Sequence, residues 1–176
     1  KLAYHPVRRA FEPVTVVIAE ENDSLKFFGV NDSPSEWRGE LRFGIFLMKG
    51  GTGRDKTTAT FIPAGKSVML AALPVKGLEN ELNDGGAFAL LNKDGKMVSR
   101  HRLFIKRFRD LQFAKPVVKI SRSGNSVTFA SDVFVWGLCI DTDGEKEVAD
   151  NCFDLIPGIP HTIEWTSKEL PVVKFT

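Results

Sequence analysis

The stretch GELRFGIFLMKG, residues 39–50, gives the clearest indication of the fold class. Its apolar residues recur at every second position and so share one face of an extended chain: Leu41, Phe43, Ile45 and Leu47. The charged residues Glu40 and Arg42 fall on the opposite face. A period of two is the pattern of a β-strand with one buried side.

Shorter apolar runs surround this strand and are rich in β-branched and aromatic residues. Segments containing Gly, Asn, Asp or Pro separate the runs, as expected where a chain reverses direction. The pattern predicts about seven strands over roughly the first 105 residues, which fits an immunoglobulin-like sandwich. The connection 76–86 has room for a helical turn, but sustained helical periodicity is lacking, which argues against a parallel α/β sheet.

The segment KRFRDLQFAKP, residues 106–116, interrupts this rhythm and predicts the passage into a second unit. Beyond it, VFVWGLCID (133–141) is apolar on both faces, as expected of a central strand, and HTIEW (161–165) is expected to form a hairpin with the strand that contains Phe153 and Leu155. On this pattern Trp136 and Trp165 belong to the core. The predicted fold is all-β: two consecutive immunoglobulin-like antiparallel β-sandwiches, residues 1–108 and a smaller one at 109–176.

The balance of charge gives no electrostatic reason to expect nucleic acid or an anionic membrane as a partner. The chain has 24 Lys and Arg against 22 Asp and Glu. A local basic strip at 100–109 is typical of a solvated strand edge. No apolar run approaches the ~18 residues of a membrane span, and the first residues lack a signal-peptide pattern. We therefore expect a piece of a longer chain.

The stretch ADNCFDLIPG, residues 149–158, is more particular than the strands around it. Asp150 and Asn151 carry side chains that accept hydrogen bonds from backbone N–H groups one or two residues further on. Such bonds hold a tight corner where a chain enters a sheet. We call residues 149–158 the corner.

The second half of the corner predicts a short strand and a turn. Phe153 and Leu155 point one way, while Asp154 points to water. Pro157 and Gly158 suit a type II turn, in which glycine takes the positive φ. These residues predict a structural corner of a sandwich.

Together, VFVWGLCID, VADNCFDLIPG and HTIEW resemble the last β-sandwich domain of family 2 glycoside hydrolases of the β-mannosidase type. The stretch 93–116 looks like that family's passage between its two C-terminal immunoglobulin-like domains, and LKFFGVNDSP (25–34) is similar to a strand and turn of the first of them. Ala149 and Cys152 stand where the family usually has Ser and an aromatic residue.

The resemblance implies a retaining glycosidase as the parent protein. Such enzymes use two carboxylates about 5 Å apart, and in this family both lie on a (β/α)8 barrel that precedes these domains. A barrel needs ~250 residues and does not fit here. The resemblance thus implies no catalytic residue in this chain, the barrel as its partner, oligosaccharide contact only through the parent, and an extracytoplasmic location (periplasmic, secreted or lysosomal).

Trp37, in PSEWRGE, is the best candidate for an exposed aromatic side chain that contacts carbohydrate or a neighbouring domain. Two alternatives to a glycosidase fragment stay open. A carbohydrate-binding module would align aromatic side chains on one exposed face, whereas a protein-interaction tandem would bind neither sugar nor a barrel.

The remaining polar residues predict no cofactor, metal or nucleophile. Two cysteines, Cys139 and Cys152, make no metal site without nearby His or carboxylate ligands, and a disulfide between them is left open. The three histidines, His5, His101 and His161, lack a Ser or Cys nucleophile at motif spacing.

Carboxylates close in sequence do not form a catalytic or calcium site on this pattern. On a strand, Asp150 and Asp154 would lie about 13 Å apart, too far for a retaining pair. Asp141, Asp143 and Glu145 suggest a plain turn rather than a calcium loop, because the distal ligands are missing.

Overall fold

The computed structural model describes residues 3–143 and 147–175, and these residues form two compact units. The first sandwich consists of residues 11–47 and 52–112. The second sandwich consists of residues 113–143 and 147–175 together with 3–10 and 48–51. The predicted boundary at 108/109 stays a prediction. The compact units place residues 3–10 and 48–51 with the second sandwich and residues 109–112 with the first.

The first sandwich contains the predicted seven strands in two antiparallel sheets. The sheets have the orders β1-β2-β5 and β4-β3-β6-β7. The strands are β1 (Val14–Glu21), β2 (Ser24–Asn31), β3 (Trp37–Leu47), β4 (Thr52–Ile62), β5 (Lys66–Pro74), β6 (Gly85–Lys93) and β7 (Lys96–Leu103). Helix α2 (Glu79–Asn83) occupies the connection in which a helical turn was expected, and a 3-10 helix spans Phe108–Asp110.

The alternation in β3 is confirmed by burial. Leu41, Phe43 and Ile45 are buried, whereas Glu40 is exposed. They pack with apolar residues of the facing sheet, including Phe27 of β2, whose ring lies 4.8 Å from that of Phe43. Burial of these side chains supplies the main stabilising free energy, about 1.5–3 kcal/mol for each large apolar side chain.

The second sandwich is built from shorter strands. They are β8 (Lys119–Ser123), β9 (Ser126–Ala130), β10 (Val135–Leu138), β11 (Phe153–Leu155) and β12 (His161–Glu164). One sheet has the order β12-β9-β8, and β10 pairs with β11. The expected hairpin between 153–155 and HTIEW is therefore wrong, because the chain passes into the other sheet after β11 and β12 pairs with β9. Helix α1 (Tyr4–Ala10) belongs to this unit. No helix among the described residues is long and apolar enough to cross a membrane.

The prediction that Trp136 is a core residue is wrong, because a β-bulge interrupts β10. Val135 pairs with Leu155 and Leu138 with Phe153, so β10 contains one more residue than β11 over the same span. The extra residue is accommodated at Gly137, whose φ is +62°. Val135 and Leu138 therefore both face the core, and Trp136 is 38% exposed.

Candidate functional site

Asn151 holds the corner together with its side-chain amide. Its Oδ1 accepts hydrogen bonds from the N–H groups of Cys152 (2.9 Å) and Ile140 (2.8 Å). Its Nδ2 donates to the Asp141 carbonyl at 2.7 Å. The buried side chain thereby connects the segment that leaves β10 to the segment that enters β11. The hydrogen bond from the Cys152 N–H is the local bond that the sequence predicts.

Asp150 is a buried carboxylate with several hydrogen-bonding neighbours. Its Oδ1 accepts from the backbone N–H of Asn151 at 2.9 Å, as the sequence predicts, and also contacts the Arg9 guanidinium. Its Oδ2 lies 3.0 Å from His161 Nε2. A charge with only 8% exposure is stable only when it is paired and hydrogen-bonded. Arg9 supplies the compensating positive charge.

Helix α1 brings Arg8 and Arg9 to the corner from its last turn. Arg9 donates from Nη1 to the Asn151 carbonyl (3.1 Å) and from Nη2 to the Cys152 carbonyl (2.8 Å), besides pairing with Asp150. Arg8 donates to the Ala149 carbonyl. A planar guanidinium has five donors in a rigid fork, which suits this simultaneous contact with carboxylate and carbonyl oxygens.

His5, also on α1, completes the group around Asp150. Its Nδ1 lies 3.9 Å from Asp150 Oδ1. Burial lowers the pKa of His5; the Asp150 carboxylate opposes this shift, and the charges of Arg8 and Arg9 reinforce it. The lowered pKa disfavours the charged form of His5, and Arg9 is a cation paired directly with Asp150. We call Arg9, Asp150, His5 and His161 the Asp150 cluster.

The second half of the corner folds as the sequence predicts in its turn but differs at Asp154. Gly158 has φ +69°, and the N–H of Ile159 donates to the Ile156 carbonyl at 3.0 Å across Pro157 and Gly158. Asp154 does not simply point to water, because its Oδ1 accepts from the Gly137 N–H at 2.8 Å. It therefore helps to hold the bulge of β10.

The buried residues of the corner join the core of the second sandwich. Phe153 and Leu155 are 1% and 0% exposed. The Phe153 ring lies 5.3 Å from Phe129 and 4.2 Å from the imidazole of His161. Trp165 is buried in the same core, as predicted, and its indole N–H donates to the Glu169 carbonyl at 2.8 Å.

The prediction that Trp37 is exposed is wrong. Trp37 begins β3, is 6% exposed and lies in the core of the first sandwich. Its ring covers Gly39, where a Cβ atom would approach within 2.5 Å of the indole. Contact with carbohydrate or a neighbouring domain stays a prediction, but a side chain this buried presents almost no ring face to a ligand.

The acidic residues after β10 form a local turn. The N–H of Asp143 lies 3.3 Å from Asp141 Oδ1, as in a turn closed by a side chain. Glu145 lies outside the described residues. Within residues 3–143 and 147–175, no group of three or more His, Cys, Asp or Glu side chains is placed to hold a metal ion.

The contribution of α1 is what the sequence reasoning missed. The histidines were candidates only for a metal site or a catalytic triad, and nothing singled out Arg9. One signal was available: Asp150 lies close in sequence to the apolar residues Phe153 and Leu155, and a buried carboxylate requires a cation. The sequence does not show which of its 24 Lys and Arg residues that cation is.

The fold and the corner define a class of protein, the immunoglobulin-like β-sandwich domains arranged consecutively in one chain. Residues 111–173 match the family model Ig_mannosidase, described as an Ig-fold domain. This match covers the C-terminal part of the chain, and it confirms the resemblance recognised in the sequence.

Solved structures extend the likeness of fold to the whole chain. A β-D-mannosidase from Dictyoglomus thermophilum matches 100% of this chain with a TM-score of 0.83 at 23% identity. An exo-chitosanase from Amycolatopsis orientalis matches 99% with a TM-score of 0.64 at 19% identity. The chain spans 23% and 26% of the lengths of these proteins. Comparison with curated protein sequences gave no match.

Proposed function

We propose that this chain is the non-catalytic C-terminal β-sandwich portion of a retaining β-glycosidase of the β-mannosidase type. Its role is to brace the catalytic (β/α)8 barrel of the parent protein. The observation that carries the proposal is the match of residues 111–173 to the mannosidase-type immunoglobulin family. The likeness of fold to about a quarter of a β-mannosidase, over this whole chain, supports it.

The chemistry of the corner supports a structural role. A retaining glycosidase needs two carboxyl groups that reach the substrate from about 5 Å apart. Asp150 instead contacts the Arg9 guanidinium and His161 while only 8% exposed. The Asn151 amide is occupied by backbone groups at both of its ends. Side chains engaged in this way hold a loop and are not available to bind or protonate a sugar.

The proposed substrate class is a β-linked hexoside, bound by the parent and not by this chain. The similar proteins are named for action on β-mannosides and on chitosan. The resemblance in sequence leaves β-mannosidase, β-galactosidase and exo-glucosaminidase activities open. Measurement on the parent decides among them.

The test is an assay of the parent protein and of this chain side by side. The parent is expected to hydrolyse the nitrophenyl β-mannoside, β-glucosaminide or β-galactoside, and proton NMR should show retention of the anomeric configuration. This chain alone should give no turnover above buffer. A parent inactive on all three, inversion of configuration, or turnover that co-purifies with this chain would contradict the proposal.

A binding measurement separates the proposal from its alternatives. Calorimetric titration of the folded chain with manno- and chito-oligosaccharides is expected to show no saturable heat. Saturable binding would instead favour a carbohydrate-binding module. If removal of this chain leaves the parent's activity and thermal half-life unchanged, bracing of the barrel is excluded and the protein-interaction alternative is favoured.

A further inference from the structure

The two cysteines are brought together by the ladder between β10 and β11. Leu138 pairs with Phe153, so the next positions outward in this antiparallel pair are Cys139 and Cys152. Their sulfur atoms lie 3.0 Å apart. That distance is shorter than an ordinary contact between two sulfur atoms and longer than the ~2.05 Å of a disulfide bond.

The backbone of Cys139 forms its hydrogen bonds with Lys174 and not with Cys152. Its N–H donates to the Lys174 carbonyl at 2.7 Å, and its carbonyl accepts from the Lys174 N–H at 2.8 Å. Cys139 therefore directs its backbone hydrogen bonds away from Cys152. Cys152 has a φ of +53° and lies just before β11, so regular ladder spacing does not extend to this pair, and the 3.0 Å between the sulfur atoms is what brings the two side chains within reach of a disulfide.

The surroundings favour reaction of the thiols with one another. Both side chains are partly buried. Burial, and then the hydrogen bond with Cys139, raises the pKa of Cys152 to about 12. A protonated thiol is a weak nucleophile toward other molecules. Once one cysteine has formed a mixed disulfide, however, the other thiol is already within contact distance.

We propose that Cys139 and Cys152 form a redox modification site, a reversible disulfide that ties β10 to the corner. The oxidant is a small-molecule disulfide such as oxidised glutathione. One protein thiol loses its proton to solvent, and its thiolate attacks the S–S bond, forms a mixed disulfide and releases a glutathione thiolate, which takes up a proton. The second protein thiol likewise loses its proton, attacks the protein sulfur of that mixed disulfide and releases the second glutathione thiolate, which is protonated in turn. Two protein thiols lose two electrons, and one glutathione disulfide gains them.

Oxidation would act on the Asp150 cluster through the backbone. The Cys152 carbonyl accepts from Arg9, and the Cys152 N–H donates to Asn151. A covalent bond at Cys152 fixes these groups and restricts the loop 140–151 in the unfolded chain. The disulfide form should therefore hold α1 and the corner more firmly than the dithiol form.

The test uses the 176-residue chain in glutathione buffers of graded composition, followed by alkylation and tryptic digestion. Trypsin cleaves after Lys146, between the two cysteines, so the disulfide joins peptides 123–146 and 147–168. We expect this linked pair to be the main species with equal millimolar reduced and oxidised glutathione, and to disappear with dithiothreitol. The oxidised chain should melt at least about 5 °C above the reduced chain.

Serine variants provide the control. Cys139→Ser and Cys152→Ser should each abolish both the linked peptides and the oxidation-dependent shift in melting temperature. Since the comparison of oxidised and reduced wild type needs no variant, misfolding of a variant does not affect it. Thiols that stay open to alkylation, only glutathione adducts or intermolecular dimers, or an oxidised chain that melts no higher would each overturn the proposal.

Discussion

The two sandwiches achieve a defined shape by different means. Strands of the first sandwich run for 8 to 11 residues, and their ladders satisfy most backbone groups. Strands of the second run for 3 to 5 residues. Short strands leave more backbone groups outside a ladder, and buried groups of this kind need other partners. In the second sandwich, the side chains of Asn151 and Arg9 supply them.

Each unit contains a buried asparagine, Asn31 in the first sandwich and Asn151 in the second, and the two differ in the groups that surround their side chains. In the first sandwich, Asn31 donates to the carbonyls of Ser35 (2.8 Å) and Ile62 (3.1 Å) and accepts from the N–H of Ser33 (3.0 Å). Besides these backbone groups, its Oδ1 accepts from the Ser33 hydroxyl at 2.6 Å. Asn151 binds backbone groups beside a buried ion pair. The second sandwich thus depends on charge as well as on amide hydrogen bonds.

The largest expected effect is in the core of the first sandwich. Trp37→Ala should lower the free energy of unfolding by about 3–5 kcal/mol, because it removes a large side chain with 6% exposure and leaves a cavity over Gly39. Urea unfolding followed by amide hydrogen exchange would assign the loss to β1–β7. Trp37→Phe should lose clearly less, and a small loss for alanine would show that the ring is not core.

The next effect is in the second sandwich and comes from charge. Asp150→Ala should destabilise it by about 3 kcal/mol, because Arg9 is left without its anion in a partly buried site. The matched control is Asp132→Ala, whose carboxylate is 82% exposed and pairs with Lys119; it should change stability by less than about 0.5 kcal/mol. Equal losses in urea unfolding of the two variants would contradict a special role for Asp150.

The same variant tests the bracing role in the parent. At a temperature where the parent stays folded, Asp150→Ala should leave kcat close to that of the wild type and shorten the half-life of activity on heating. A fall in kcat/KM at unchanged stability would place the corner in contact with substrate. Steady-state kinetics and thermal inactivation of one preparation distinguish the two results.

A smaller effect is expected at Trp136. Its side chain is 38% exposed on the far side of the β10 bulge from the core. Trp136→Ala should therefore cost less than about 1 kcal/mol in urea melts. Trp165→Ala, in the core of the same sandwich, is the comparison and should cost several times more. Similar losses for both would show that the bulge does not set the direction of Trp136.

The smallest effect is a pH dependence from His5. Since burial lowers its pKa below the ordinary value of 6.5, the unfolded chain binds a proton more readily than the folded chain. Its contribution to stability is complete above pH 6.5 and falls as the pH drops from there toward the folded pKa. His5→Gln should reduce the stability lost between about pH 7.5 and about pH 5.5.

The pH experiment isolates His5 by difference. The pKa of His101, in the first sandwich, is also lowered by burial, with a further contribution from Arg102. His101 is present in both proteins and lies in the first sandwich, so its titration cancels in the comparison. Urea unfolding at the two pH values measures the difference, and identical pH slopes for wild type and His5→Gln would remove His5 as its source.

Local pattern was enough to predict most strands and the turn of the corner. The alternation in β3 and the glycine at 158 are each decided within a few residues. Trp136 was misplaced because alternation assumes a regular strand, and a single glycine with positive φ shifts every residue beyond it to the other face. Trp37 was predicted to be exposed because the residues before it, NDSPSE, are typical of a turn, whereas β3 already begins at Trp37.

The Asp150 cluster could not be predicted for a different reason. Arg9 and Asp150 are 141 residues apart. No periodicity or motif spacing carries information over that distance, and the choice of Arg9 over other cations is made only when α1 is placed in the second sandwich. For Asn151, the hydrogen bond with the N–H of Cys152 could be predicted because it joins adjacent residues.

That separation also has a consequence for the order of folding. Helix α1 is made before the first sandwich, yet the residues it binds in the second sandwich follow the entire first sandwich in the chain. During synthesis the first sandwich can complete its own ladders as soon as β7 has emerged. Helix α1 must wait for the corner before Arg9 finds its carboxylate, and a seven-residue helix is marginal in water until it docks. A helix made before the first sandwich is thus secured only after that sandwich is complete.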